Sequence, residues 1–120
     1  MKVGPEFLAY LQDLFGAHGV VKAKSLFGGV GLYIDDLMFG FLDRDETIYL
    51  RADDANRPAF QAAGSNPFRY PLKTGEEFEI GYWRMPEEAL EQPELAAEWA
   101  RGSLDAAMRK RATQKPKRGR

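Results

Sequence analysis

The sequence predicts an α+β fold, a two-layer arrangement in which an antiparallel sheet of about five strands carries helices, in the order α-βββ-α-ββ-α. Segments of two-residue periodicity come in runs, at residues 30–51 and again at 66–85, instead of alternating singly with helices as βαβ units do. Segments of helical periodicity stand before, between and after those runs.

The first helix opens at Gly4-Pro5-Glu6. Proline suits the first helical position because its missing N–H has no partner there, and Glu6 favours the positive end of the helix dipole. Phe7, Leu8, Leu11, Leu14 and Phe15 then form one apolar face until Gly16 and Gly19 stop the helix. In the next segment Val30, Leu32 and Ile34 alternate with Gly31, Tyr33 and Asp35, and Asp35-Asp36 supplies a turn into "LMFGFL". A second turn at "DRDE" leads to "TIYLR", so three strands form an antiparallel meander.

"ADDANRPAFQAAG" is a short helix. Pro58 is tolerable only in its first turn, which puts the cap among Asp53, Asp54 and Asn56, with Gly64 closing the helix and Phe60 as its buried anchor. Two more strands, "NPFRYPL" and "EFEIGYWRM", follow around a turn at Lys73-Thr74-Gly75, where glycine supplies positive φ. Pro86 and Pro93 mark two further starts. From Glu94 onward Ala96, Ala100, Ser103 and Ala107 make one face, bordered by Trp99, Leu104 and Met108, and the small alanines permit close approach to a sheet. The opposite stripe, Glu94, Glu98, Arg101, Asp105 and Arg109, alternates in sign as a solvated face does.

At 120 residues and 44% hydrophobic the chain is one globular domain, placed at residues 1–112, with a basic tail at 113–120 read as disordered. No apolar run is long enough to cross a bilayer, and "MKVGPEF" meets a proline and a glutamate before a signal-peptide core could form, so the expectation is a cytoplasmic protein without membrane contact. With no cysteine, disulfides, thiolate nucleophiles and Cys-ligated metals are excluded. The net charge of −1 hides an asymmetry. Seven of the 17 basic residues, Arg109, Lys110, Arg111, Lys115, Lys117, Arg118 and Arg120, lie in the last 12 positions with no acidic neighbour, leaving 10 against 18 acidic residues in positions 1–108.

Four groups of residues invite a functional reading. Gly28, Gly29 and Gly31 sit in "SLFGGVGLYI", but a phosphate loop needs a helix after its glycines, and here a strand follows while Lys24-Ser25 precede. They read instead as a bulge or corner where the strand bends and a backbone passes close. His18, the one histidine, reads as a loop residue at the surface or partly buried, and the carboxylate pairs Asp35/Asp36, Asp53/Asp54 and Glu76/Glu77 as turn and cap residues. Tyr70, Tyr82 and Trp83, flanked by Arg69 and Arg84, suit a base-stacking platform or packing, and the acidic neighbours favour packing. The tail is the clearest partner signal: seven phosphate contacts would give a slope of log affinity against log salt of about −6, whereas the plain alternative is a solubilising terminus.

The stretches "LFGGVGLYIDDLMFGFL", "IYLRADDANRPAFQAAG", "NPFRYPL", "IGYWRMP" and "WARGSLDAAMRK", in this order over about residues 5–110, resemble the N-terminal domain family of TfoX, bacterial regulators linked to competence genes. The resemblance implies an α+β fold similar to that of small dimeric chaperones and a role in transcription regulation rather than catalysis. It carries over no catalytic residue, metal ligand or cofactor. The matching positions Phe27, Gly28, Gly29, Gly31, Tyr33, Asp53, Asn56, Arg57, Phe60 and Gly64 read as fold-defining. The full competence regulators continue into a second, helical domain, where this sequence has its basic segment. The expectation is therefore a non-enzymatic regulatory or adaptor domain that binds another protein and self-associates as a homodimer. The alternatives are weak nucleic-acid association through the tail, and a small-molecule enzyme that would need Tyr33, Asp53, Asn56 and Arg57 in one pocket.

Overall fold

The structure, a computed structural model, describes residues 3–26 and 28–113 except the side chain of Phe78. In chain order the elements are α1 (Pro5–Phe15), β1 (Lys22–Leu26), β2 (Gly29–Ile34), β3 (Leu37–Leu42), β4 (Ile48–Arg51), α2 (Arg57–Ala62), β5 (Pro67–Pro71), β6 (Glu77–Arg84) and α3 (Pro93–Thr113), with single 3₁₀ turns at Gly16–His18 and Glu87–Glu91. The strands form one sheet in the order β1-β2-β3-β4-β6-β5, every neighbouring pair antiparallel. The α+β antiparallel class is as the sequence predicts.

The sheet has six strands rather than about five. The addition is β1, "KAKSL", which carries no apolar alternation because it lies at the sheet's edge with a mostly exposed or half-exposed surface. Its register with β2 runs from Leu26 opposite Gly29 to Lys22 opposite Tyr33. Gly28, with φ of 81°, therefore lies in the turn between two antiparallel strands. The Asp35-Asp36 turn forms as predicted, with φ of 53° and 64° at its two central residues.

All three helices reach the same buried side of the sheet. Leu11, Leu14 and Phe15 of α1 and Ala96, Ala100 and Leu104 of α3 pack with Val30, Leu32, Ile34, Leu42, Ile48, Leu50 and Trp83, and Phe60 of α2 stacks near Trp83 and Trp99. Each large side chain so buried contributes roughly 1.5–3 kcal/mol relative to exposure. Two side-chain bonds tie α1 and the turn after it to the Glu87–Glu91 turn and to α3. The Tyr10 hydroxyl donates to Leu90 O at 2.6 Å, and His18 Nε2–H donates to Ala97 O at 2.7 Å.

Among the described residues the opposite face carries no helix and is closed by aromatic rings instead. Phe68 of β5 meets Phe41 of β3 at 5.1 Å and Tyr49 of β4 at 5.0 Å between ring centroids. A flat sheet would hold β5 roughly 14 Å from β3, so the sheet curls until its β5 edge folds over the middle strands. Glycine makes room for this. A Cβ on Gly29 would stand 2.3 Å from Leu42 O and under 3 Å from the Phe41 ring, and one on Gly31 would stand 3.0 Å from the Tyr33 ring. The glycines thus let side rings lie flat on the strand, which answers the phosphate-loop reading in favour of the bend and close approach.

Candidate functional site

Where β4 ends, the chain turns under α3, and the motif residues of "ADDANR" assemble there. Asp53 Oδ1 accepts from the backbone N–H groups of Ala55 (3.0 Å) and Asn56 (3.3 Å), while Asn56 Oδ1 accepts from the Asp53 N–H at 2.7 Å. This reciprocal pair folds residues 53–56 into the entrance of α2. Asn56 stands at the N-cap position without a side-chain bond to the helix, its carboxamide being used on the turn before it, and Pro58 lies in the first turn as predicted. At the far end Gly64, with φ of 78°, and Ser65 donate to Gln61 O and Phe60 O, the paired bonds that close a helix through a left-handed residue.

The same residues join this turn to α3. Arg51 O accepts from Asn56 Nδ2 at 3.0 Å and from the Ser103 hydroxyl at 2.8 Å, a hydroxyl buried among the alanines of α3. A Cβ on Gly102 would stand in ordinary contact with the Asn56 side chain, which places this turn of α3 beside Asn56. Arg109 donates to both Asp53 oxygens, Nε at 2.7 Å and Nη2 at 3.0 Å, the fork geometry that suits a carboxylate. These bonds from Arg109 hold the Asp53 carboxyl below the ordinary carboxylate value in spite of partial burial, helped by the N–H groups of Asn56 and Ala55. Arg57 pairs with Asp54 at 2.7 Å.

Between the β4–α2 segment, β6 and the last turns of α3 lies a cavity of about 360 Å³, bordered by Arg51, Asp53, Arg57, Ile80, Arg109 and Lys110 among others. Asp53 and Arg57 thus meet at one cavity. Asn56 is held beneath the segment by its backbone bonds, and Tyr33 lies elsewhere, on the helix-free face against Gly31 with Lys24 Nζ 4.9 Å from its ring centroid. The four residues of the enzyme reading do not converge.

The remaining candidates are placed as follows. Phe60 is fully buried, Gly29 and Gly31 lie against the Phe41 and Tyr33 rings, and Gly28 supplies the positive φ of the turn before β2. Tyr82 and Trp83 are buried on opposite faces of β6 while Tyr70 is exposed, so no stacking platform forms; Arg69 sits 4.0 Å from Glu79. Of the basic segment, Arg109, Lys110 and Arg111 belong to α3, which also includes Thr113, and Arg111 reaches Asp36 O at 3.4 Å. Phe27, Lys115, Lys117, Arg118 and Arg120 lie outside the described residues.

Sequence reasoning put Ser103 on the alanine face of the last helix but missed its bond to Arg51 O, and did not single out Gly102 or the partnership of Arg109 with Asp53. A serine in a row of alanines was the available signal for the first. Tyr82 also carries an unexpected feature: its hydroxyl is buried without a hydrogen-bond partner among the described residues, and burial pushes its pKa up to about 12, with Arg51 pulling slightly the other way. Among the described residues no helix is long and apolar enough to cross a membrane.

No curated protein matches the sequence. The family described as the TfoX N-terminal domain matches residues 13–107, from the second half of α1 through most of α3 and including both the glycine hairpin and the "ADDANR" turn. By that match the chain belongs to the TfoX N-terminal domain family.

Proposed function

We propose that this chain is a non-enzymatic regulatory adaptor that acts in the bacterial cytoplasm by binding another protein and by pairing with a second copy of itself. The observation that carries the reading is the use to which the motif residues are put. Asp53 and Asn56 spend their hydrogen-bonding capacity on the β4–α2–α3 junction, and Tyr33 covers a glycine on the other face. Residues used in this way fix a shape, and a shape with open sheet edges serves recognition. Membership in a family named for regulators supports the same reading.

The test is capture of the tagged chain from its own cells, with and without nuclease, followed by reconstitution with the purified partner. The full chain is compared with one ending at Thr113, which keeps α3 and its Arg109–Asp53 pair intact. A stoichiometric protein partner that survives nuclease and truncation supports the adaptor. The second reading, nucleic-acid association, is favoured by the exposed Lys110 and by the basic residues that follow α3. Recovery that requires both nucleic acid and residues 114–120 would replace the adaptor with it.

A further inference from the structure

We propose that the cavity between the β4–α2 segment and the end of α3 binds a small organic phosphate, its dianionic head on the cationic rim and its apolar part on the floor. At about 360 Å³ the cavity has the size of a small-ligand site. Four cationic residues from three elements border it, Arg51 from β4, Arg57 from α2, and Arg109 and Lys110 from α3, against the two carboxylates Asp53 and Asp54. Each carboxylate already has its cation: Asp53 holds Arg109, and Asp54 holds Arg57. Among the described residues Arg51 and Lys110 form no ion pair; Arg51 donates its Nε–H to Met38 O at 2.9 Å and holds its guanidinium 5.0 Å from the Tyr82 ring centroid, so Lys110 is the cation left open to a terminal phosphate, with Arg51 adding charge from the side.

The rest of the lining fits the other end of such a molecule. Ile80, Gly81, Ala52 and Ala106 offer an apolar floor beside the charged rim. The Asp54 side chain is 99% exposed, so an incoming phosphate can compete for Arg57 in solvent at little cost. Thr113, near the end of α3, also borders the cavity. A compact volume with an apolar floor favours a small monoester over a nucleic-acid backbone, whose phosphates are singly charged and strung along a polymer. This site is independent of the adaptor reading.

The experiment is a titration of the full ¹⁵N-labelled chain, read from backbone amide shifts at fixed ionic strength, with phenyl phosphate, inorganic phosphate and a short DNA duplex. Phenyl phosphate is expected to shift amides at residues 54–57, 81 and 106–113, and to bind more tightly than inorganic phosphate. Lys110→Ala should weaken it about fivefold and Asp54→Asn should tighten it about twofold to fivefold, while Lys73→Ala, on the remote β5–β6 turn, leaves it unchanged. Lys110, Asp54 and Lys73 are all exposed, so the variants keep the fold. Scattered shifts, equal losses in Lys110→Ala and Lys73→Ala, or a response to duplex DNA but not to the monoester would overturn the proposal. So would binding that disappears on removal of residues 114–120 alone.

Discussion

Gly29 and Tyr82 show how much of this molecule is decided by single atoms. A Cβ at Gly29 would collide with the backbone oxygen of Leu42, which a flexible side chain cannot relieve, so Gly29→Ala should lower unfolding stability by about 2 kcal/mol or more in denaturant titration. Tyr82 presents the opposite case, because its buried hydroxyl costs stability without a partner. Tyr82→Phe should gain about 1 kcal/mol. Its pKa of about 12 in the folded chain stands above the ordinary 10.0, so the unfolded chain releases this proton first as pH rises. The native chain should therefore lose stability between about pH 10 and 12, and the phenylalanine variant should lose less in a melting series over that range. At this scale the glycines were legible as a bend, since no helix follows them, but the rings that require them were not. Tyr33 covers Gly31 from two residues along the same strand, but Phe41 lies next to Gly29 only after β2 and β3 have paired.

The elements were largely legible because their apolar spacing is strong: α1, the meander, α2 and the alanine face of α3 stand where periodicity puts them. β1 was not, since an edge strand needs no buried face and shows none in "KAKSL". Its identity comes from the ladder with β2, a long-range fact that local pattern does not hold. The junction of β4, α2 and α3 was half legible, with Asp53 and Asn56 visible as caps and their ties to Arg51, Ser103 and Arg109 hidden. Asn56→Ala should cost about 1–2 kcal/mol, because it leaves the Asp53 N–H unpaired and removes one of two donors to Arg51 O. The Asp53–Arg109 pair sets an acid limit on the same junction. The folded carboxyl titrates below its ordinary 3.8, so its contribution is present above that value and is lost as pH falls through the lower folded one. Arg109→Gln should flatten stability against pH below about pH 4, a change that unfolding curves across that range would reveal.

The whole molecule is a sheet with helices on one face and its own curled aromatic edge on the other, and its family motifs maintain that shape. Its sequence carries acid in the body and base at the end, a division that leaves room for a protein partner on the first and anions at the second. Exposed Tyr70 and Leu72 near the β5–β6 turn, Val20 before β1 and Met108 on α3 are apolar side chains that a partner or a second copy can cover. The adaptor reading stands or falls on where contact occurs. The most direct measurement is hydrogen exchange of the full chain, alone and in the nuclease-treated assembly recovered from its cells. Added protection within residues 3–113, retained when the chain ends at Thr113, is the predicted result. Protection limited to residues 114–120 and abolished by nuclease would contradict the adaptor and make nucleic acid the partner.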